Sequence, residues 1–149
     1  MISQYHKYYL SKYLDLIDTF IFVLTKKNSH VTFLHLYHHA SVPLTGLIYM
    51  KVNPLIPGIY YFGIHNSFIH CLMYSYYAIS SLGHWAKKYL WWKKYLTMLQ
   101  IIQFLNYIVY LIILSIYNQG YPLFISIINY FQCFVFLCLF IYFYLNNFR

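Results

Sequence analysis

Apolar residues fall in five long runs, at about 9–24, 31–50, 59–82, 95–117 and 122–145, and the lysines, prolines and glycines collect in the short stretches between them. Each run is close to the roughly 20 residues that an α-helix needs to cross the hydrocarbon core of a bilayer. The breaks are chemically distinct. Lys26-Lys27-Asn28-Ser29 is a basic turn, Lys51 to Gly58 carries Pro54 and Pro57 as punctuation, and 83–94 interleaves Lys87, Lys88, Lys93 and Lys94 with Trp85, Trp91 and Trp92. Tryptophan beside lysine is the composition of a membrane interface. The pattern predicts an all-α integral membrane protein of about five transmembrane helices. Pro43 lies inside the second run, where the loss of a backbone donor and the crowding of the preceding turn are expected to bend or break the helix.

The polar residues inside the runs are not scattered. Lys12, Asp15, Asp18 and Thr19 share one helical face in the first run; His35, His38 and His39 stand at i, i+3 and i+4 in the second. Asn66, His70, Met73 and Tyr74 follow a stripe in the third, and Thr97, Gln100 and Gln103 step by threes in the fourth. Residues three and four apart meet on one face of a helix. An ionisable group inside the bilayer is costly unless it faces a protein or water-filled interior. One buried polar residue is common, whereas four matched stripes point to an intramembrane cavity walled by imidazoles, carboxylates, amides and hydroxyls, suited to an acylated substrate. For the first stripe a purely structural reading also stands, with Lys12 neutralising Asp15 near a helix end.

Composition narrows the classes. The chain has 149 residues, 62% hydrophobic and 8% charged, so a soluble globular fold is disfavoured. A net charge of +8 does not imply nucleic acid, because the basic residues sit between apolar runs instead of forming one stripe. They are better explained by topology and anionic headgroups. The basic turns after the first and third runs, with Arg149, place that side in the cytosol by the positive-inside rule, so the C-terminus is expected to be cytosolic. Cys71, Cys133 and Cys138 all lie in apolar runs and are expected to be buried free thiols. Phosphate loops, serine nucleophile elbows and paired-cysteine metal motifs are absent from the sequence.

The stripes together resemble the ELO family of fatty-acid elongases. Lys12-Tyr-Leu-Asp15-Leu-Ile-Asp18-Thr19 is similar to the family's Lys-x-x-Glu-x-x-Asp-Thr box, and His35-Leu-Tyr-His38-His39 to its His-x-x-His-His box. His70-Cys-Leu-Met73-Tyr74, preceded by Asn66-Ser67, looks like the His-x-x-Met-Tyr box, and Thr97-Met-Leu-Gln100-Ile-Ile-Gln103 looks like the Thr-x-x-Gln-x-x-Gln box. All four occur in order. Two departures stand out. Asp15 replaces a glutamate and shortens the carboxylate's reach by one methylene, and family members have about seven spans. The resemblance therefore implies the C-terminal part of a seven-helix elongase, a partial membrane domain over 1–149 without the first two spans. The dilysine retrieval signal that many members carry is also missing.

What the resemblance implies is a very-long-chain 3-oxoacyl-CoA synthase of the endoplasmic reticulum membrane. It condenses acyl-CoA with malonyl-CoA through an acyl-histidine. His38 is the expected nucleophile; His35, His39 and His70 are expected to orient it, move protons or hold the oxyanion. Lys12, Asp15, Asp18, Asn66, Tyr74, Gln100 and Gln103 are the expected substrate-binding residues. No metal or bound cofactor is expected, with malonyl-CoA as co-substrate. Expected partners are membrane lipid, the reductases and dehydratase of the elongation cycle and a second copy of the chain, with no nucleic acid. His6, His30, His65 and His84 are expected to be interfacial or packing residues. The rival chemistry is a di-iron desaturase or hydroxylase, which needs roughly eight imidazoles in three boxes because each iron takes several nitrogen ligands; the second His-x-x-His-His is missing. An inactive truncated elongase is the third reading.

Overall fold

The computed structural model describes residues 2–26, 32–52, 57–117 and 122–148, with the side chains of 2–6, 9 and 18 not described. Every element among them is helical: α1 Ile2–Leu14, α2 Leu16–Leu24, α3 Phe33–Val52, α4 Pro57–Ser81, a 3-10 helix His84–Tyr89, α5 Lys93–Ile116 and α6 Leu123–Phe148. The last four helices match the last four apolar runs to within three residues at each end. The first run is different. Its helix starts at Ile2, because the chain before the apolar residues contains no glycine or proline to stop it, and hydropathy alone does not register a polar helical turn. Between α1 and α2 the interruption is one residue, Asp15, whose own backbone is helical (φ −58°, ψ −22°) and whose N–H still donates to the Ser11 carbonyl at 3.0 Å.

Helix ends follow local chemistry. Thr32 Oγ1 accepts the His35 N–H at 3.2 Å, while the Thr32 carbonyl accepts the Leu36 N–H, so a threonine cap starts the helix that carries the histidines. Pro57 opens α4, where its missing N–H costs nothing. Gly83 follows α4 with φ +99°, a conformation that favours glycine, and turns the chain into the 3-10 helix.

Of the bend or break expected from sequence, the break does not occur: α3 continues from Phe33 to Val52 with Pro43 buried inside it. The ring costs the helix one bond, the one its N–H would have made to the carbonyl of His39, four residues back. Neighbouring turns carry the helix across the gap. The expectation of three buried thiols also fails in part. Cys133 is buried, but Cys71 and Cys138 are exposed, because they occupy the outward faces of α4 and α6.

The chain forms two compact units, Met1–Ile56 and Pro57–Arg149. In the first, α1 packs on α2 and α3. In the second, α5 packs on both α4 and α6. Ring pairs fix the register of α4 on α5 as antiparallel: Tyr61 stacks on Tyr110 at 4.1 Å, Phe62 meets Tyr107 at 4.8 Å, and Tyr76 meets Trp92 at 5.2 Å. Phe104 stacks on Phe136 at 5.3 Å, and the Tyr107 hydroxyl donates to Asn129 Oδ1 at 3.3 Å, which joins α5 to α6. In apolar surroundings such a polar pair is directional, so it fixes the rotation of one helix against the other.

Among the described residues two helices, α5 and α6, are long and apolar enough to cross a membrane. Their large apolar side chains are largely exposed within the unit, including Ile102, Val109, Ile116, Phe124, Phe131 and Phe134. The helices α3 and α4 fall short of that measure, since histidine, tyrosine, glycine and asparagine dilute their apolar content.

Candidate functional site

The first unit holds the densest group of reactive side chains. Lys12 on α1 is 5% exposed and Asp15 is 13% exposed, and their charged ends lie 3.4 Å apart. That is longer than the roughly 2.7–2.9 Å of a well-made charge-assisted bond. The ion pair is made, but it is long. Lys12 Nζ also lies over the ring of Tyr8 at 5.3 Å, one turn back along α1, which partly offsets the cost of burying the ammonium.

The histidines stand on α3 with their rings in contact. His35 and His39 approach to 4.1 Å between centroids, and His39 meets His38 edge-on at 5.2 Å. Thr19 Oγ1 and His35 Nε2 are 3.0 Å apart, a hydrogen bond whose donor depends on the tautomer, and Phe22 lies 5.5 Å from the same ring. With Tyr13 reaching the Pro43 carbonyl at 3.5 Å, these contacts set α1 and α2 antiparallel to α3. The register brings His38 and His39 level with 15–17, beside the Lys12–Asp15 pair. His39 Nδ1 is buried without a hydrogen-bond partner among the described residues. The carbonyl of the same residue has no N–H at Pro43 to accept from. The side chain of Asp18 lies outside the described residues.

Removing the hydroxyl while keeping the branched shape, Thr19→Val, is expected to lower stability by about 1 kcal/mol by leaving the His35 ring without that bond. The midpoint of thermal unfolding in detergent measures this, and an unchanged midpoint makes the contact incidental.

In the second unit Asn66 is buried on α4, His70 is half-buried one turn on, and Tyr74 is 38% exposed, with the His70 and Tyr74 rings 5.9 Å apart. On α5, Thr97 and Gln103 are buried and Gln100 is half-buried. The Thr97 hydroxyl is turned back onto its own helix, donating to the Lys93 carbonyl at 3.3 Å. The antiparallel register places Asn66 level with Gln103. Gln103 Nε2 is buried with no partner among the described residues.

The structure thus brings the Lys12 box together with the histidine box in one unit, and the Asn66–Tyr74 box together with the glutamine box in the other. Two contributions went unread in the sequence. Tyr8 supports Lys12 at i−4, a spacing visible in hindsight, and Tyr107 continues the stripe one turn beyond Gln103 to meet Asn129. Only packing shows which residue of α6 that turn meets.

These features define an all-helical protein with an imidazole cluster on one helix beside a buried ion pair. The chain belongs to the GNS1/SUR4 (ELO) family, whose model matches residues 2–149. It is 42% identical over 139 residues to very long chain fatty acid elongase 7 of Rattus norvegicus, covering 91% of this chain and 49% of that protein. It is 49% identical over 98 residues to very long chain fatty acid elongase 4 of Homo sapiens, covering 65% of this chain and 31% of that protein. With very long chain fatty acid elongase 2 of Rattus norvegicus the figures are 41% over 143 residues, 95% of this chain and 50% of the relative. The chain spans about half the length, or less, of these relatives.

Proposed function

We propose that this chain carries the condensing site of fatty-acid elongation, joining acyl-CoA to malonyl-CoA to give 3-oxoacyl-CoA, carbon dioxide and free CoA. The observation that carries the reading is the ring-to-ring cluster of His35, His38 and His39 beside the buried Lys12–Asp15 pair, in a chain of the elongase family. The relatives named as very long chain fatty acid elongases support the substrate class.

In the proposed reaction an unprotonated ring nitrogen of His38 attacks the thioester carbonyl. The carbon–sulfur bond breaks, CoA departs as thiolate, and the proton from the other ring nitrogen passes through a neighbouring imidazole to the sulfur. The product is an acyl-imidazole, reactive enough to pass the acyl group on. Malonyl-CoA then loses carbon dioxide, and the resulting carbanion attacks the acyl carbonyl; the carbon–carbon bond forms, the acyl–nitrogen bond breaks, and His38 leaves with a proton taken up from solvent through a neighbouring imidazole. His35, His39 and His70 serve as proton carriers or hold the developing oxyanion. Asn66, Gln100 and Gln103 donate to thioester or malonyl carbonyls, Tyr74 contacts substrate, and Lys12, Asp15 and Asp18 bind and orient it.

The setting is the endoplasmic reticulum membrane, with about five helices of this chain spanning it and the basic turns and C-terminus facing the cytosol. Exposed apolar rows on α5 and α6 support a lipid setting, since soluble monomers seldom show apolar patches of that size. Partners on this reading are the other enzymes of the elongation cycle and a second copy of the chain.

Incubating the purified protein with a long-chain acyl-CoA alone tests the covalent step. Peptide mass analysis is expected to find one acyl group on His38, discharged when malonyl-CoA is added. Turnover without any adduct at His38 removes that role.

A further inference from the structure

One cluster plays no part in this chemistry. At one end of the second unit α4 finishes, α5 begins and α6 finishes, with the 3-10 helix packed on α4. Lys87, Lys88, Lys93 and Lys94 are all exposed there, as are Trp85 at 63% and Trp91 at 72%. The segment is seated, not loose: Ala86 is fully buried and Trp92 packs on Tyr76. Three of the lysines lean on rings, Lys88 on Tyr89 at 4.9 Å, Lys93 on Phe148 at 5.9 Å and Lys94 on Tyr144 at 5.7 Å. In these contacts the Lys93 and Lys94 ammonium groups lie over rings at the end of α6 and the Lys88 ammonium over a ring of its own 3-10 helix, while the three side chains stay exposed.

Within the second unit the charge has no acidic side chain as counterpart. The protein's two acidic side chains are Asp15 and Asp18, both in the other unit, so no aspartate or glutamate lies anywhere in 57–149. Four cations at a helix-bundle end, set among exposed indoles, therefore call for an external anion next to an apolar phase.

We infer that this end of the second unit is a docking surface for anionic glycerophospholipid headgroups, with the lysines holding the phosphate and carboxylate groups and Trp85 and Trp91 lying at the depth of the ester region. The inference rests on the membrane reading above. Each lysine near an anionic leaflet attracts it, and four on one short segment act together. Amphipathic indoles settle at that same level. The consequence is a shell enriched in acidic lipid around one end of the protein, which fixes its depth and tilt.

All three tryptophans of the protein, Trp85, Trp91 and Trp92, lie in this segment, so tryptophan fluorescence, excited at the red edge where tyrosine does not absorb, reports on this surface alone. The full chain is reconstituted into phosphatidylcholine bilayers containing a small, equal fraction of either dibrominated phosphatidylserine or dibrominated phosphatidylcholine. Quenching by the brominated serine lipid is expected to exceed that by the choline lipid several-fold. The excess is expected to fall in high salt and to vanish in the Lys87→Gln/Lys88→Gln/Lys93→Gln/Lys94→Gln variant, whose quenching by the choline lipid stays unchanged and shows that the segment is still seated. Equal quenching by both lipids in the parent overturns the inference while leaving the membrane reading intact. No quenching by either lipid overturns both. Loss of the excess on adding free CoA assigns the lysines to substrate phosphates and overturns the lipid assignment.

Discussion

Replacing His38 with glutamine is expected to reduce 3-oxoacyl-CoA formation by about 10³-fold or more, since loss of a covalent nucleophile removes the step that activates the acyl group. Glutamine keeps a polar side chain on α3 but has no nitrogen able to attack a thioester. His38 touches His39 edge-on, and its removal leaves the His35–His39 contact and the Thr19 bond in place, so the fold should survive. Condensation is followed with labelled malonyl-CoA in membranes from elongase-deficient cells expressing the chain, and the acyl adduct by mass. His35→Gln is expected to retain the adduct while transferring it slowly, because a proton carrier contributes about 10²–10⁴-fold without bonding to the acyl group. Activity within tenfold of the parent in the His38→Gln protein would remove the covalent mechanism.

The second large effect concerns stability. Asp15→Asn leaves the Lys12 ammonium buried at 5% exposure without its carboxylate, and breaking one side of a buried ion pair costs about 3–5 kcal/mol. Far-UV circular dichroism against temperature in detergent is expected to show a clearly lower unfolding midpoint. Replacing both partners, Lys12→Met with Asp15→Leu, is expected to restore the midpoint, because well-packed apolar residues substitute for a buried pair at little or no cost. Asp15→Glu is expected to raise it, since one more methylene lets the carboxylate close the 3.4 Å separation. If the single and double variants unfold alike, the pair does not hold the helices.

Particular residues show how far the chain could be read without its structure. The last four apolar runs located α3 to α6, because in each the side chains that avoid water extend over nearly the whole helix. The first run understated its helix, since Ile2 to Tyr8 is helical without being apolar throughout. At Pro43 the break that the sequence allowed does not occur: the local rule weighs one lost bond and a crowded turn, while the intact turns on either side keep α3 continuous. Cys71 and Cys138 were expected to be buried from their apolar neighbours, yet an apolar run has an outer face, and membership of the run does not tell which face a residue occupies.

By itself the sequence determined the helical class, the placement of most helices, and the grouping of Lys12 with Asp15 and of His35 with His38 and His39. Each of those groups spans one helical turn, so the geometry of the α-helix alone brings its members together. What required the tertiary structure is everything that joins one helix to another. Thr19 finds the His35 ring across sixteen residues, Tyr107 finds Asn129 across twenty-two, and His39 and Gln103 are left with buried atoms unpaired among the described residues. Those facts depend on the register and rotation of packed helices. Side-chain shape over many contacts sets these, and no periodicity within one segment encodes them.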